Sequence, residues 1–189
     1  MDKKAVFLDD RNKTRFVNAL YVVNNFVEIP HHFDFKTMEP KKSLIKRKKP
    51  FVGIVAACLM PTHFHLFVTP ISDSAGISGF LHKIGVSYTK YFNQKYERSG
   101  SLFEGTFKAK YIDRQEYAGY LTEYIHLNPL GEESKQSVVD IDELSKYRWS
   151  TLADYLGGKS NFSHVLDLSF RDKVLGFDAK GYKDFLLSC

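Results

Sequence analysis

The stretch Leu59-Met60-Pro61-Thr62-His63-Phe64-His65-Leu66-Phe67-Val68 decides the reading of this chain, because it sets two histidines one residue apart inside an apolar run of strand character. In extended backbone successive side chains alternate faces, so His63 and His65 share one face while Phe64 and Leu66 take the other. Two imidazoles then converge on one region of space. With an oxygen donor and open positions, such a pair can hold a divalent ion as a Lewis acid. The plainer alternative is two core histidines, each hydrogen-bonded to backbone.

Working outward, Phe51 to Met60 is a second apolar run of strand character that leads into Pro61, where a bulge or a junction at the sheet edge is expected. Upstream, residues 9 to 26 begin with Asp9-Asp10-Arg11-Asn12, a helix-cap pattern. Phe16, Leu20, Val23 and Val27 then fall on one helical face. Between them, Glu28 to Pro50 is polar, basic and punctuated by Pro30, Pro40 and Pro50, which marks an irregular excursion.

Downstream, Ile77 to Tyr96 carries Ile77, Phe80, Leu81, Ile84, Tyr88 and Tyr91 on one stripe, with Lys83, Lys90, Asn93 and Lys95 opposite. The glycines of Ser99 to Gly105 predict a loop. Alternation of Phe107, Ala109 and Tyr111 against Lys108 and Lys110 predicts a strand with a basic exposed face. A third helix is expected after Asp113, a cap candidate with Glu116 three residues on, running through Tyr117, Leu121, Tyr124 and Ile125 until Pro129 stops it. Gly131 to Ser145 is acidic and without clear periodicity. Tyr147-Arg148-Trp149-Ser150 opens a short helix closed by Gly157-Gly158, with Trp149 as a packing anchor, and Val165 to Leu187 holds enough apolar residues for one more helix. This order predicts an α+β fold, an antiparallel sheet covered by helices.

At 189 residues, 43% hydrophobic and 26% charged, the composition is that of a globular domain with a core of its own. No apolar run approaches the roughly 20 residues of a membrane-spanning helix, and Met1-Asp2-Lys3-Lys4 does not open a signal peptide, so a cytoplasmic location is expected. Cys58 and Cys189 form neither a disulfide framework nor a zinc spacing, and are expected to be structural thiols. Net charge is +5, and it is clustered: Lys41, Lys42, Lys46, Arg47, Lys48 and Lys49 occur with no acid among them. A solvated loop would show the same run. Clustered basic residues beside an aromatic content of 15% also suit phosphate contacts and base stacking, so nucleic acid is the leading partner on charge.

Tyr124 and Asn128 are four apart on the third predicted helix and so lie one above the other. A tyrosine hydroxyl is a weak nucleophile at its free pKa near 10 and needs a metal or a base beside it. Asn128 adds a neutral carbonyl oxygen as a third ligand beside the imidazoles. Together these residues suit attack of Tyr124 on a phosphodiester. The same pair also reads as a tyrosine packed in the core and an asparagine capping the helix before Pro129.

Four motifs, Met60 to Val68, Ser99-Gly-Ser-Leu-Phe-Glu-Gly-Thr-Phe-Lys108, Tyr124-Ile-His-Leu-Asn-Pro129 and Tyr147 to Ser150, stand in an order and spacing that resembles the REP-associated tyrosine transposases. These are single-tyrosine HUH transposases, HUH denoting His, a hydrophobic residue and His, and the match spans roughly Phe7 to Leu156. The resemblance implies a ferredoxin-like core whose central strand carries the histidines. By motif position it implies His63, His65 and Asn128 as ligands of a divalent ion, Mg2+ or Mn2+, and Tyr124 as nucleophile. It implies a metal-dependent single-strand DNA endonuclease and strand transferase acting on hairpin-forming DNA through a 5'-phosphotyrosine, as a monomer or homodimer. Lys41, Lys42, Lys46, Arg47, Lys48, Lys49, Lys108 and Lys110 are the expected DNA contacts.

His126 is two residues from Tyr124 and should face elsewhere. Tyr88, Tyr91, Tyr96, Tyr117 and Tyr120 do not match the motif's tyrosine. Relatives begin with a strand ending in an Arg-Gly turn before the segment corresponding to Lys3 to Leu8, and carry a basic stretch where this chain has Leu130-Gly-Glu-Glu133. A catalytically inactive hairpin-binding protein is therefore the alternative. Residues 1–145 are expected to form the catalytic domain, and 146–189 a helical extension packed on it.

Overall fold

The computed structural model describes residues 4–24, 50–71, 75–131, 140–174 and 178–187. By chain contacts it divides into two compact units, one made of Met1–Ala5, Ile54–Val68 and Lys110–Cys189, the other of Val6–Gly53 and Thr69–Ala109. The boundary expected after residue 145 falls inside the first unit, which holds His63, His65, Tyr124 and the C-terminal helices together.

The fold is α+β, a ferredoxin-like arrangement of an antiparallel sheet covered by helices, with helices at the C-terminal end. Among the described residues the sheet has two strands, β1 (Val52–Leu59) and β2 (Phe64–Pro70). Every residue of β1 is buried, the burial expected of an unbroken apolar run. The strands are joined through Pro61 and Thr62, with the Met60 N–H donating to the His63 carbonyl at 2.8 Å. Pro61 thus lies in the tight connection, where its missing N–H costs the ladder nothing.

The other edge of β1 is covered piecewise. Leu59 N–H donates to Trp149 O at 2.8 Å, Thr151 N–H to Ala57 O at 3.0 Å, and Asp167 N–H to Ile54 O at 2.7 Å. Tyr147 adds its hydroxyl, which donates to Leu59 O at 2.6 Å. The Tyr147-Arg-Trp-Ser150 motif therefore straps the end of β1 that leads into the histidine hairpin. Trp149 is buried, as an anchor should be.

Helix α3 (Gln115–Leu127) packs on the sheet through one cluster in which Ala118 and Ile125 meet Val55, Ala56, Cys58 and Phe67. Burial pushes the Cys58 thiol up to about 12, which makes it an inert core group. The N-cap of α3 is Arg114, without a side-chain cap bond, and not the expected Asp113. Residues 107–113 form no strand: Phe107 is 47% and Tyr111 87% exposed, because alternation alone supplies no backbone partner. Pro129 ends α3 as expected, in a single 3-10 turn, Asn128–Leu130.

Beyond it, α4 (Ile141–Ser145) lies at the end of the segment without clear periodicity, and α5 (Leu152–Tyr155) is the short helix expected after Tyr147–Ser150. α6 (Leu168–Val174) and α7 (Ala179–Leu187) replace the single tail helix expected. Ile141 and Leu144 share a core cluster with Leu152, Tyr155, Tyr182 and Leu186, so α7 is bound to α4 and α5 by apolar burial.

In the other unit, α1 (Asp10–Val23) packs on α2 (Ala75–Lys95). Asp9 caps α1, accepting from Asn12 N–H at 2.7 Å, and Phe16, Leu20 and Val23 are buried as their spacing requires; Val27 lies outside the described residues. The buried stripe of α2 is Phe80, Ile84, Tyr88 and Phe92, which shifts the expected stripe toward strict four-residue spacing. Lys95, expected on the outer face, instead bonds Asp9 and Asn12, each at 2.8 Å.

Candidate functional site

The site begins with the geometry of β2. His63, His65 and Phe67 are two apart and share a face. Phe67 is buried among α3 side chains, so the same face presents the two histidines toward α3. Alternate residues on a strand lie about 6.6 Å apart along the chain. The imidazole rings are closer, 4.8 Å between centroids at 82°, so they lean together.

On α3, Ala118, Leu121 and Ile125 face the sheet, and Tyr124 flanks them. Its ring meets His65 edge to face, 5.5 Å between centroids at 88°, while 48% of the residue stays exposed. Tyr124 is thus not a core tyrosine. Asn128 is the C-cap of α3, one turn beyond Tyr124, and its Nδ2 donates to the Tyr124 carbonyl at 3.5 Å. That bond engages the amide nitrogen; the oxygen is the atom a hard cation takes.

Two imidazoles bound to one ion through nitrogens about 2.1 Å away have centroids about 5 Å apart, and the 4.8 Å separation of His63 and His65 fits that requirement. Among the described residues no group of three or more His, Cys, Asp or Glu side chains gathers, so no carboxylate joins this pair. The pair itself offers two imidazole nitrogens.

His126, within the same motif, faces away from Tyr124 and is fully buried. Its Nδ1 is 2.6 Å from the Tyr182 hydroxyl and its Nε2 2.8 Å from Thr151 Oγ1. Burial lowers its pKa to about 3, which keeps it neutral and ties α3 to α7 and to the strap over β1. The other tyrosines have separate settings. Tyr88 is buried, donates to Val6 O at 2.7 Å, and has its pKa raised by that burial. Tyr91 donates to Asn12 at 3.1 Å, and Tyr96 accepts from Asn12 Nδ2 at 2.9 Å. Tyr117 and Tyr120 are exposed on α3, beside Arg114 and Phe185 respectively.

Lys108 and Lys110 are exposed on irregular chain instead of a strand face. Lys41, Lys42, Lys46, Arg47, Lys48 and Lys49 lie outside the described residues. Sequence reasoning missed two contributors: Thr62, whose hydroxyl is 2.9 Å from His63 Nδ1, and Tyr147 with its bond to the end of β1. Both sit inside the quoted motifs, yet spacing does not report which atoms meet. No helix among the described residues is long and apolar enough to cross a membrane. Compared with family models, curated proteins and solved structures, the chain matches none of them.

Proposed function

We propose that this protein is a metal-dependent single-strand DNA endonuclease and strand transferase of the REP-associated tyrosine transposase kind, acting on hairpin-forming DNA. The observation that carries the reading is the meeting of a half-exposed tyrosine with His65, whose ring in turn lies against that of His63, at residues that also match the motifs of that family. His63, His65 and the Asn128 amide would hold a divalent ion, Mg2+ or Mn2+. Such an ion supplies Lewis acidity at the phosphoryl oxygen and at the leaving oxygen.

Tyr124 Oη attacks the phosphorus, the bond from phosphorus to the 3'-oxygen breaks, and the DNA 5'-phosphate stays on the tyrosine. The phenol proton is lost and the released 3'-oxygen ends protonated, so one phosphodiester replaces another and the step runs backward when a 3'-hydroxyl attacks the phosphotyrosine. α3, packed on β2, supplies the positioning, which is worth a large share of any barrier lowered this way. Lys108 and Lys110, with the basic run Lys41 to Lys49, meet phosphates without choosing sequence.

The test is incubation with a hairpin oligonucleotide bearing a 5' single-stranded flank and Mn2+, followed by denaturing electrophoresis. A covalent protein–DNA adduct is expected. Tight hairpin binding with no adduct under any divalent metal would overturn the enzymatic reading in favour of an inactive hairpin-binding protein.

A further inference from the structure

We infer that Thr62 is the positioning residue of His63, holding its ring as the Nδ1–H tautomer so that Nε2 carries the lone pair. The inference rests on the ligand role proposed for His63. Thr62 Oγ1 lies 2.9 Å from His63 Nδ1, within hydrogen-bond range. The contact is held on both sides: Pro61 restricts the backbone before Thr62, and the Met60 N–H to His63 O bond closes the connection after it.

A neutral imidazole has one N–H and one lone pair, and the partner of one nitrogen decides the role of the other. With Nδ1 engaged by the hydroxyl, Nε2 is the nitrogen that can ligate. Ligation there requires the proton on Nδ1, where the Thr62 oxygen accepts it. A hydroxyl that donated to Nδ1 would place an N–H on Nε2 and deny that nitrogen to any cation. Thr62 therefore acts through His63, and it touches no reacting atom.

Three proteins decide this: wild type, Thr62→Val, which keeps the β-branch and removes the hydroxyl, and Thr62→Ser, which restores it. Ring nitrogen shifts of His63 are read by NMR at pH 8, with and without Mg2+, and Mn2+ affinity is read from the signal of the free ion. The expected result is an Nδ1–H ring in wild type with Mg2+, Mn2+ affinity weakened about 10- to 100-fold in Thr62→Val, and recovery in Thr62→Ser. Wild-type affinity in Thr62→Val, or an Nε2–H ring in the Mg2+-loaded wild type, overturns the inference. Should Thr62→Val not fold, the wild-type tautomer alone decides. Wild type that binds no Mn2+ sinks the metal reading itself; the tautomer in wild type against Thr62→Val then still upholds or overturns the role of Thr62.

Discussion

Tyr124 and His65 meet edge to face, 5.5 Å between ring centroids, one carried by a helix and the other by a strand 59 residues earlier in the chain. The contact exists because Phe67, two residues beyond His65, is buried against the same helix that carries Tyr124. An apolar anchor thus sets the distance between the proposed nucleophile and one of its proposed metal ligands.

Tyr124→Phe removes one oxygen and preserves the ring and its contact with His65. Folding and hairpin affinity should stay near wild type, while the covalent adduct disappears from denaturing gels. An adduct that persists would move the nucleophile to another tyrosine, with the exposed Tyr117 and Tyr120 first to be tested.

His63→Ala should abolish the adduct and lower Mn2+ affinity. Asn128→Ala should impair both less, since water can fill a position vacated by a neutral amide oxygen. Equal loss in the two variants, measured by adduct yield against metal concentration, would give Asn128 a role beyond ligation.

Neutralising four of Lys41, Lys42, Lys46, Lys48 and Lys49 should weaken binding to all oligonucleotides alike. On single strands the salt dependence should flatten by roughly 0.7 for each phosphate that a lysine no longer neutralises. Fluorescence anisotropy at several salt concentrations measures it; an unchanged slope would return the segment to a solvated excursion.

His126 should make stability depend on acid. Its folded pKa, about 3, lies below the ordinary 6.5, so the unfolded chain takes up the proton first. The contribution is fully present above pH 6.5 and falls away progressively as pH drops toward the folded value. Thermal unfolding between pH 7 and 4 should show His126→Gln less pH-dependent than wild type; parallel curves would contradict this origin.

Asn24 is fully buried at the end of α1 and bonds three backbone groups at the start of β1, donating to Val52 O and accepting from the N–H groups of Phe51 and Val52. Asn24→Ala strands those groups and should cost on the order of 2–4 kcal/mol, read by urea unfolding. A loss below about 1 kcal/mol would mean that water replaces the side chain.

Periodicity along the chain was enough to determine the α+β class, the cap at Asp9, the two apolar strands, the stop at Pro129 and the face shared by His63 and His65. These follow from local rules, in which side-chain direction depends on neighbours a few residues away. Local pattern misled where a partner was needed. Phe107 to Tyr111 alternates as a strand does, but lacks a described strand beside it, and the tail has apolar residues for one helix but folds as two. Motif order singled out Tyr124 and left open whether it lay in the core. Only tertiary packing decided that it stands half-exposed against His65, that His126 turns inward to Tyr182 and Thr151, and that Trp149 to Thr151 cover the outer edge of β1. Each of these joins residues 25 or more apart, where burial of apolar surface and completion of backbone hydrogen bonds select the partner and no sequence spacing encodes it.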